Sequence, residues 1–229
     1  MTTNYGKVLD DKGEAHIRFT QDFEEQNNLL DATKEKTQKI VEHMRIAIVE
    51  LYDAGKKVHS QEPNRYEALA DAIMALGQRL PVDSTYGGTL MAVNRALRVA
   101  AAQQRKLQRA VDEQVVMPLR EWMKDVYPTV IKERNLLNKK RQEMEAATRR
   151  VAKPSATDKD RLKLEEATKT YDQQMRTVKK LLDKLPQYHH QHRQIMITLL
   201  NLEKEYHANA AEAIDLSLNA ITQMTAALS

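Results

Sequence analysis

Cysteine is absent from the 229 residues, which excludes a disulfide framework, thiolate metal sites, thiol catalysis and prenyl or palmitoyl anchors. Aromatic residues are only 5% of the chain, so a core has to be mostly aliphatic, and a wide aromatic-lined pocket is not expected. Glycine occurs six times, always at or before Gly88, leaving the last 141 residues without one. Tight sheet turns call on glycine for positive φ angles, so long helices are the expected alternative. Long apolar runs are missing too. The best stretch, Ile195 to Leu202, is broken by Thr198 and Asn201, against the roughly 20 residues needed to span a bilayer. The N-terminus is polar and has no secretory apolar segment, so a cytoplasmic protein is expected. No phosphate-binding glycine loop, dinucleotide fingerprint or nucleophile elbow is present. Neither an enzyme nor a cofactor is expected. The one ligand-like cluster is Tyr188-His-His-Gln-His-Arg193. His189 and His192 could share a helix face, but no carboxylate completes a metal set, and the run reads as exposed polar helix.

What is present is helical periodicity. Residues 1–19 read as a flexible, irregular arm, with Gly6, Gly13 and Asp10-Asp11 breaking any pattern, and residues 20–229 as one helical domain. Helix 1 is expected over about 20–80, where Leu30, Thr33, Thr37, Ile40, Met44, Ala47 and Leu51 alternate spacings of three and four, with a break near 58–63. Pro81 to Gly88 is a strong turn signal. Helix 2 is expected over about 89–148, from Leu90, Val93 and Leu97 through Trp122, Val130 and Leu137. Pro118 and Pro128 lie inside it and read as bends, because the apolar pattern persists on both sides. Two helices joined at Pro128 remain the alternative. A tip loop follows over about 149–157, and helix 3 over about 158–226 opens on a Thr157/Asp160 capping box. Leu164, Tyr171, Met175, Val178, Leu182 and Leu185 keep a strict heptad, and beyond Pro186, another expected bend, the stripe widens around Ile195, Leu199 and Leu202. The expected fold is all-α: a long, kinked, three-helix antiparallel coiled coil. Its tip carries almost no apolar residues, while the stripes at the other end are too wide for one chain to cover, which calls for a two-fold homodimer.

The charge is uneven. Residues 132–184 hold 16 basic and 9 acidic side chains, whereas the rest of the chain is slightly acidic. A solvated coiled-coil face would account for part of this. A functional reading is an anionic partner surface, membrane or nucleic acid. Nucleic acid is disfavoured, since the basic zone has no interleaved aromatics on which bases could stack.

A family resemblance completes the reading. Leu80-Pro-Val-Asp-Ser-Thr-Tyr-Gly87, then Leu90, Val93 and Ala96-Leu97, then Val-Asp-Glu-Gln-Val-Val-Met-Pro-Leu over Val111 to Leu119 resemble the second helix of BAR domains of the endophilin, amphiphysin and BAR-containing Rho GTPase-activating type. Tyr127 to Arg134 and Glu205-Tyr-His207 are similar to that family's second bend and third-helix close, so the likeness spans about residues 20–225. It implies a crescent homodimer, a six-helix bundle whose basic concave face and tips bind curved anionic phospholipid membrane in trafficking or endocytosis, peripherally and without catalysis. By position the membrane-binding residues it implies are Lys132, Lys139, Lys140, Arg141, Arg149, Arg150, Lys153, Lys159, Arg161 and Lys163. The family's inserting N-terminal segment is not matched, because Tyr5, Val8 and Leu9 are followed at once by two aspartates. The rival expectation is a helical dimer that docks a small GTPase or cytoskeletal partner without shaping membrane. No SH3 or pleckstrin-like region is read, so protein partners are left open.

Overall fold

The computed structural model describes residues 5–9, 15–49 and 63–226, and the chain forms two compact units, residues 1–39 with 120–191 and residues 40–119 with 192–229. The break expected near 58–63 lies outside the described residues, except for Pro63. Among the described residues every element is helical apart from one short strand pair, in keeping with the glycine-poor sequence.

In the first unit, β1 (Tyr5–Leu9) pairs antiparallel with β2 (Ala15–Phe19), Lys7 standing opposite Ile17. This departs from the irregular arm expected there. A lone two-stranded hairpin is marginal in water; this one buries Ile17 and packs Phe19 against the helical core, a gain that its own sequence does not reveal. Helix α1 (Gln21–Met44) follows, leading into a π-helical segment, Arg45–Val49. The unit is built on α5 (Tyr127–Val151) and α6 (Asp158–Leu182), joined by a short turn. Val130, Leu137 and Met144 of α5 recur every seven residues and interlock with Tyr171, Met175, Val178 and Leu182 of α6. Each such side chain fully removed from water contributes about 1.5–3 kcal/mol. Phe23 and Leu30 bring α1 into the same core. Two cross-links fix its register. Arg134 Nη1 pairs with Asp31 Oδ2 at 2.7 Å, and the Tyr127 hydroxyl donates to Asp31 Oδ1 at 3.1 Å.

The expected helix 2 begins earlier than its apolar stripe, at Thr85, because the Ser84 hydroxyl accepts from Gly87 N–H at 3.1 Å and caps α3 (Thr85–Val111). It then passes both prolines without ending. A π-helical segment, Asp112–Val116, precedes α4 (Met117–Glu121), and another, Trp122–Val126, precedes α5. The Met117 N–H reaches back to Asp112 O and the Tyr127 N–H to Trp122 O, each five residues away. Pro118 and Pro128 are the next residues in each case. A proline offers no N–H and its ring crowds the carbonyl four residues back, so a wider turn just ahead of it absorbs the lost bond. Pro186 behaves differently from the expected bend: α6 stops at Leu182, and α7 (Leu185–Ala226) restarts with the proline in its first turn, where a missing N–H costs nothing.

In the second unit α2 (Arg65–Gly77) packs on α3, its buried Ala70 beside the face of α3 that carries Asn94 and Ala101. Such close approach exposes carbonyls to side-chain amides. Asn94 Nδ2 donates to Ala70 O, and Asn64 Nδ2 to Ala101 O at 3.3 Å. Asn64 also forms a reciprocal capping box with Glu67, whose carboxylate in turn receives Arg105 from α3. Most of α7 lies in this unit, and among the described residues of α7 from His192 onward only Ala213 is buried, leaving Leu200, Leu216 and Leu218 exposed. Of the large apolar side chains exposed among the described residues, all but Leu29, Leu136 and Leu162 belong to the second unit.

Candidate functional site

All ten basic residues singled out in the sequence fall in the first unit, on α5, on α6 or in the turn between them. Lys132, Lys139 and Arg150 are exposed. They stand seven and eleven residues apart, spacings that return to one helix face. That face points away from Val130, Leu137 and Met144, which occupy the core side. Glu143 lies on the same stripe but is engaged by half-buried Lys140, whose Nζ reaches Glu143 Oε2 at 2.8 Å. Arg141 has another occupation. It is half-buried, with its guanidinium 5.0 Å from the centroid of the Phe19 ring.

At the tip, Arg149 and Arg150 close α5, Lys153 stands in the turn, and Lys159, Arg161 and Lys163 open α6, all six exposed. The capping box there is the one that the sequence spacing implied: Thr157 Oγ1 meets the Asp160 N–H at 3.3 Å, and the Asp160 carboxylate accepts the Thr157 hydroxyl at 2.7 Å and its backbone N–H at 3.0 Å. The Thr157 hydroxyl, followed by that backbone N–H, holds the Asp160 carboxyl below the ordinary aspartate range, helped by the charges of Lys163 and Arg150. Both helix ends therefore act on one spot. Arg161 is 3.8 Å from Asp158, a fully exposed pairing that adds little to stability. The tip is thus a cluster of cations with little core beneath, held in place by its cap and covalent turn.

Other groups were not legible as a site. The Asp31, Tyr127 and Arg134 cluster joins residues about a hundred positions apart. Burial, then the Asp31 charge, pushes the Tyr127 hydroxyl above the usual tyrosine value. His189, expected on an exposed surface, is half-buried and 2.9 Å from Thr33 Oγ1. The Thr33 hydroxyl already donates to Leu29 O at 2.7 Å, so the imidazole supplies the proton of that second bond. Leu162, 66% exposed among the tip cations, had no signal in its surroundings that would have set it apart. Among the described residues no group of three or more acidic or histidine side chains could hold a metal, and no helix is long and apolar enough to cross a membrane.

With this arrangement in view, residues 7–216 match the BAR domain as a family. The chain belongs to the BAR domain family. Membership places it among membrane-curvature scaffolds, a family of dimerising, membrane-binding helical domains that are not enzymes. It is 28% identical to Endophilin-B2 of Rattus norvegicus over 184 residues, which are 69% of this chain and 45% of that protein. The chain therefore spans less than half the length of that curated relative. A solved structure, the N-terminal I-BAR domain of IBARa from D. Discoideum, covers 91% of this chain and 86% of its own at 12% identity, with a TM-score of 0.43.

Proposed function

We propose that this BAR domain acts as a homodimeric scaffold on anionic phospholipid membrane, sensing or inducing curvature through its basic surface, in membrane trafficking or endocytosis. The observation that carries the reading is the exposed stripe Lys132, Lys139 and Arg150, continuous at its end with the tip cations Arg149, Lys153, Lys159, Arg161 and Lys163. These residues are exposed and set where no core depends on them, so their charge lies at the surface that phosphate head groups would meet. In a crescent dimer the stripe on α5 would line the concave side and the turn would form each tip. Lys140 and Arg141 contribute less in the resting protein, since Glu143 and Phe19 already engage them.

A basic side chain near an anionic leaflet contributes on the order of 1 kcal/mol, and a dimer presents each one twice. Lys132→Glu, Lys139→Glu and Arg150→Glu together are expected to abolish co-sedimentation with phosphatidylserine-containing vesicles at physiological salt while leaving helicity unchanged. Raising the salt should weaken the parent in the same direction, because the Debye length shortens from about 8 Å toward 3 Å at 1 M. Undiminished binding by the triple variant would reduce the stripe to an ordinary solvated face.

A further inference from the structure

The turn between α5 and α6 displays one hydroxyl that the fold does not use. Thr148 Oγ1 donates to Met144 O at 2.9 Å, and the Thr157 hydroxyl is held in the cap of α6 by Asp160. Ser155 lies between them, exposed, and among the described residues none bonds to its hydroxyl. The Ala156 N–H donates to Lys153 O at 3.0 Å, which closes a β-turn over Lys153-Pro-Ser-Ala156. Proline suits the second place of such a turn because its φ is already set. Ser155 takes the third place, at the outer corner. Charge of one sign dominates around it: residues 149–163 carry six basic and two acidic side chains. Ser155 is two residues from Lys153, so their Cα atoms are at most about 7.6 Å apart. Packed helices have axes about 8–10 Å apart, so Arg150 at the end of α5 and Lys159 at the start of α6 flank the same corner.

We propose that Ser155 is a phosphorylation site and that its phosphate switches off the basic tip. A kinase that reads basic residues finds Arg149, Arg150 and Lys153 ahead of the serine. Opening the turn for it breaks one backbone hydrogen bond and disturbs no core. Transfer of the terminal phosphoryl group of a nucleoside triphosphate forms the Oγ–P bond and breaks the bond to the departing diphosphate, while the hydroxyl proton passes to the base of the kinase. The product carries about −1.5 to −2 charges at pH 7, close to half the local excess. Its oxygens accept from the same guanidinium and ammonium groups that lipid phosphate would use. The tip is then neutralised from within. This deepens the membrane reading above and rests on it.

The test uses the full chain and vesicles of phosphatidylcholine with phosphatidylserine. Incubation with magnesium ATP and an arginine-directed serine kinase should place phosphate on Ser155, located by mass spectrometry. Ser155→Ala should bind vesicles as the parent does and keep that affinity through the same treatment. A chain with phosphoserine encoded at position 155 gives the effect directly, without dependence on the kinase. Each cation neutralised should cost about fivefold in vesicle affinity, so this chain should bind about 25-fold more weakly than the parent. Its helicity and mass in solution should be unchanged, and phosphatase should restore binding. If the kinase leaves Ser155 unmodified, or the phosphoserine chain binds as tightly as a parent that does bind, the switch is overturned while the membrane reading stands. If the parent does not bind, or the Lys132→Glu, Lys139→Glu, Arg150→Glu variant binds as well as the parent, the membrane reading falls and this inference with it.

Discussion

Glu67 joins three interactions in one carboxylate. It accepts from the Asn64 backbone N–H at 2.7 Å in the capping box and takes the Arg105 guanidinium through both oxygens. The hydrogen bond from Arg105 is the largest influence, and it outweighs burial to hold the Glu67 carboxyl below the ordinary glutamate range. A depressed folded-state value means that the stabilisation is complete above the unfolded pKa, near 4.3. It is lost as pH falls through the lower folded value. The thermal stability of the parent should therefore fall below about pH 4.3, and Glu67→Gln should flatten that dependence while keeping the capping box, since glutamine serves it too. Glu67→Ala removes cap and ion pair together and should cost about 1–2 kcal/mol near neutral pH, read by denaturant titration.

The α5 and α6 pair is stabilised almost entirely by one interlocked seam. Leu137 is fully buried between heptad neighbours, so Leu137→Ala should destabilise by about 2–5 kcal/mol, depending on how far Met144 and Tyr171 relax into the void. Removing the cap with Thr157→Ala should cost about 1 kcal/mol and fray the start of α6, visible as faster amide exchange over its first turn. Neither change touches a cation of the tip. Both should leave the salt dependence of vesicle binding as it was, which separates seam from surface. The wide turns ahead of Pro118 and Pro128 belong to this scale as well. They let a single apolar pattern continue across two residues that would otherwise end a helix.

For the whole molecule the apolar balance is decisive. A helix of 42 residues that leaves Leu200, Ile214, Leu216 and Leu218 exposed has not satisfied its apolar surface within one chain. A second copy is the economical cover, because a two-fold interface pairs the same surface with itself. Light scattering should accordingly give about twice the 26.3 kDa of the chain. Leu200→Asp with Leu216→Asp and Leu218→Asp should shift that mass toward one chain. The same variant should bind vesicles more weakly, having lost the doubling of its basic sites.

The helical class, the α5/α6 seam, the capping box at Thr157 and the position of the basic tip were all legible in the sequence. Each depends on neighbours within a turn or two of helix, or on a heptad spacing that records its own partner face. What only the tertiary structure decided involves groups far apart in the chain. Strand formation at Ala15–Phe19 depends on the surface of α5 that Ile17 and Phe19 cover, and Arg141 differs from Lys139 only because Phe19 comes to lie under it. Asp31 with Arg134, and Asn64 with Ala101, are likewise set by packing between helices. Local periodicity tells which side of a helix is buried; which distant residue buries it, and which charge is thereby engaged, is fixed only when the chain folds.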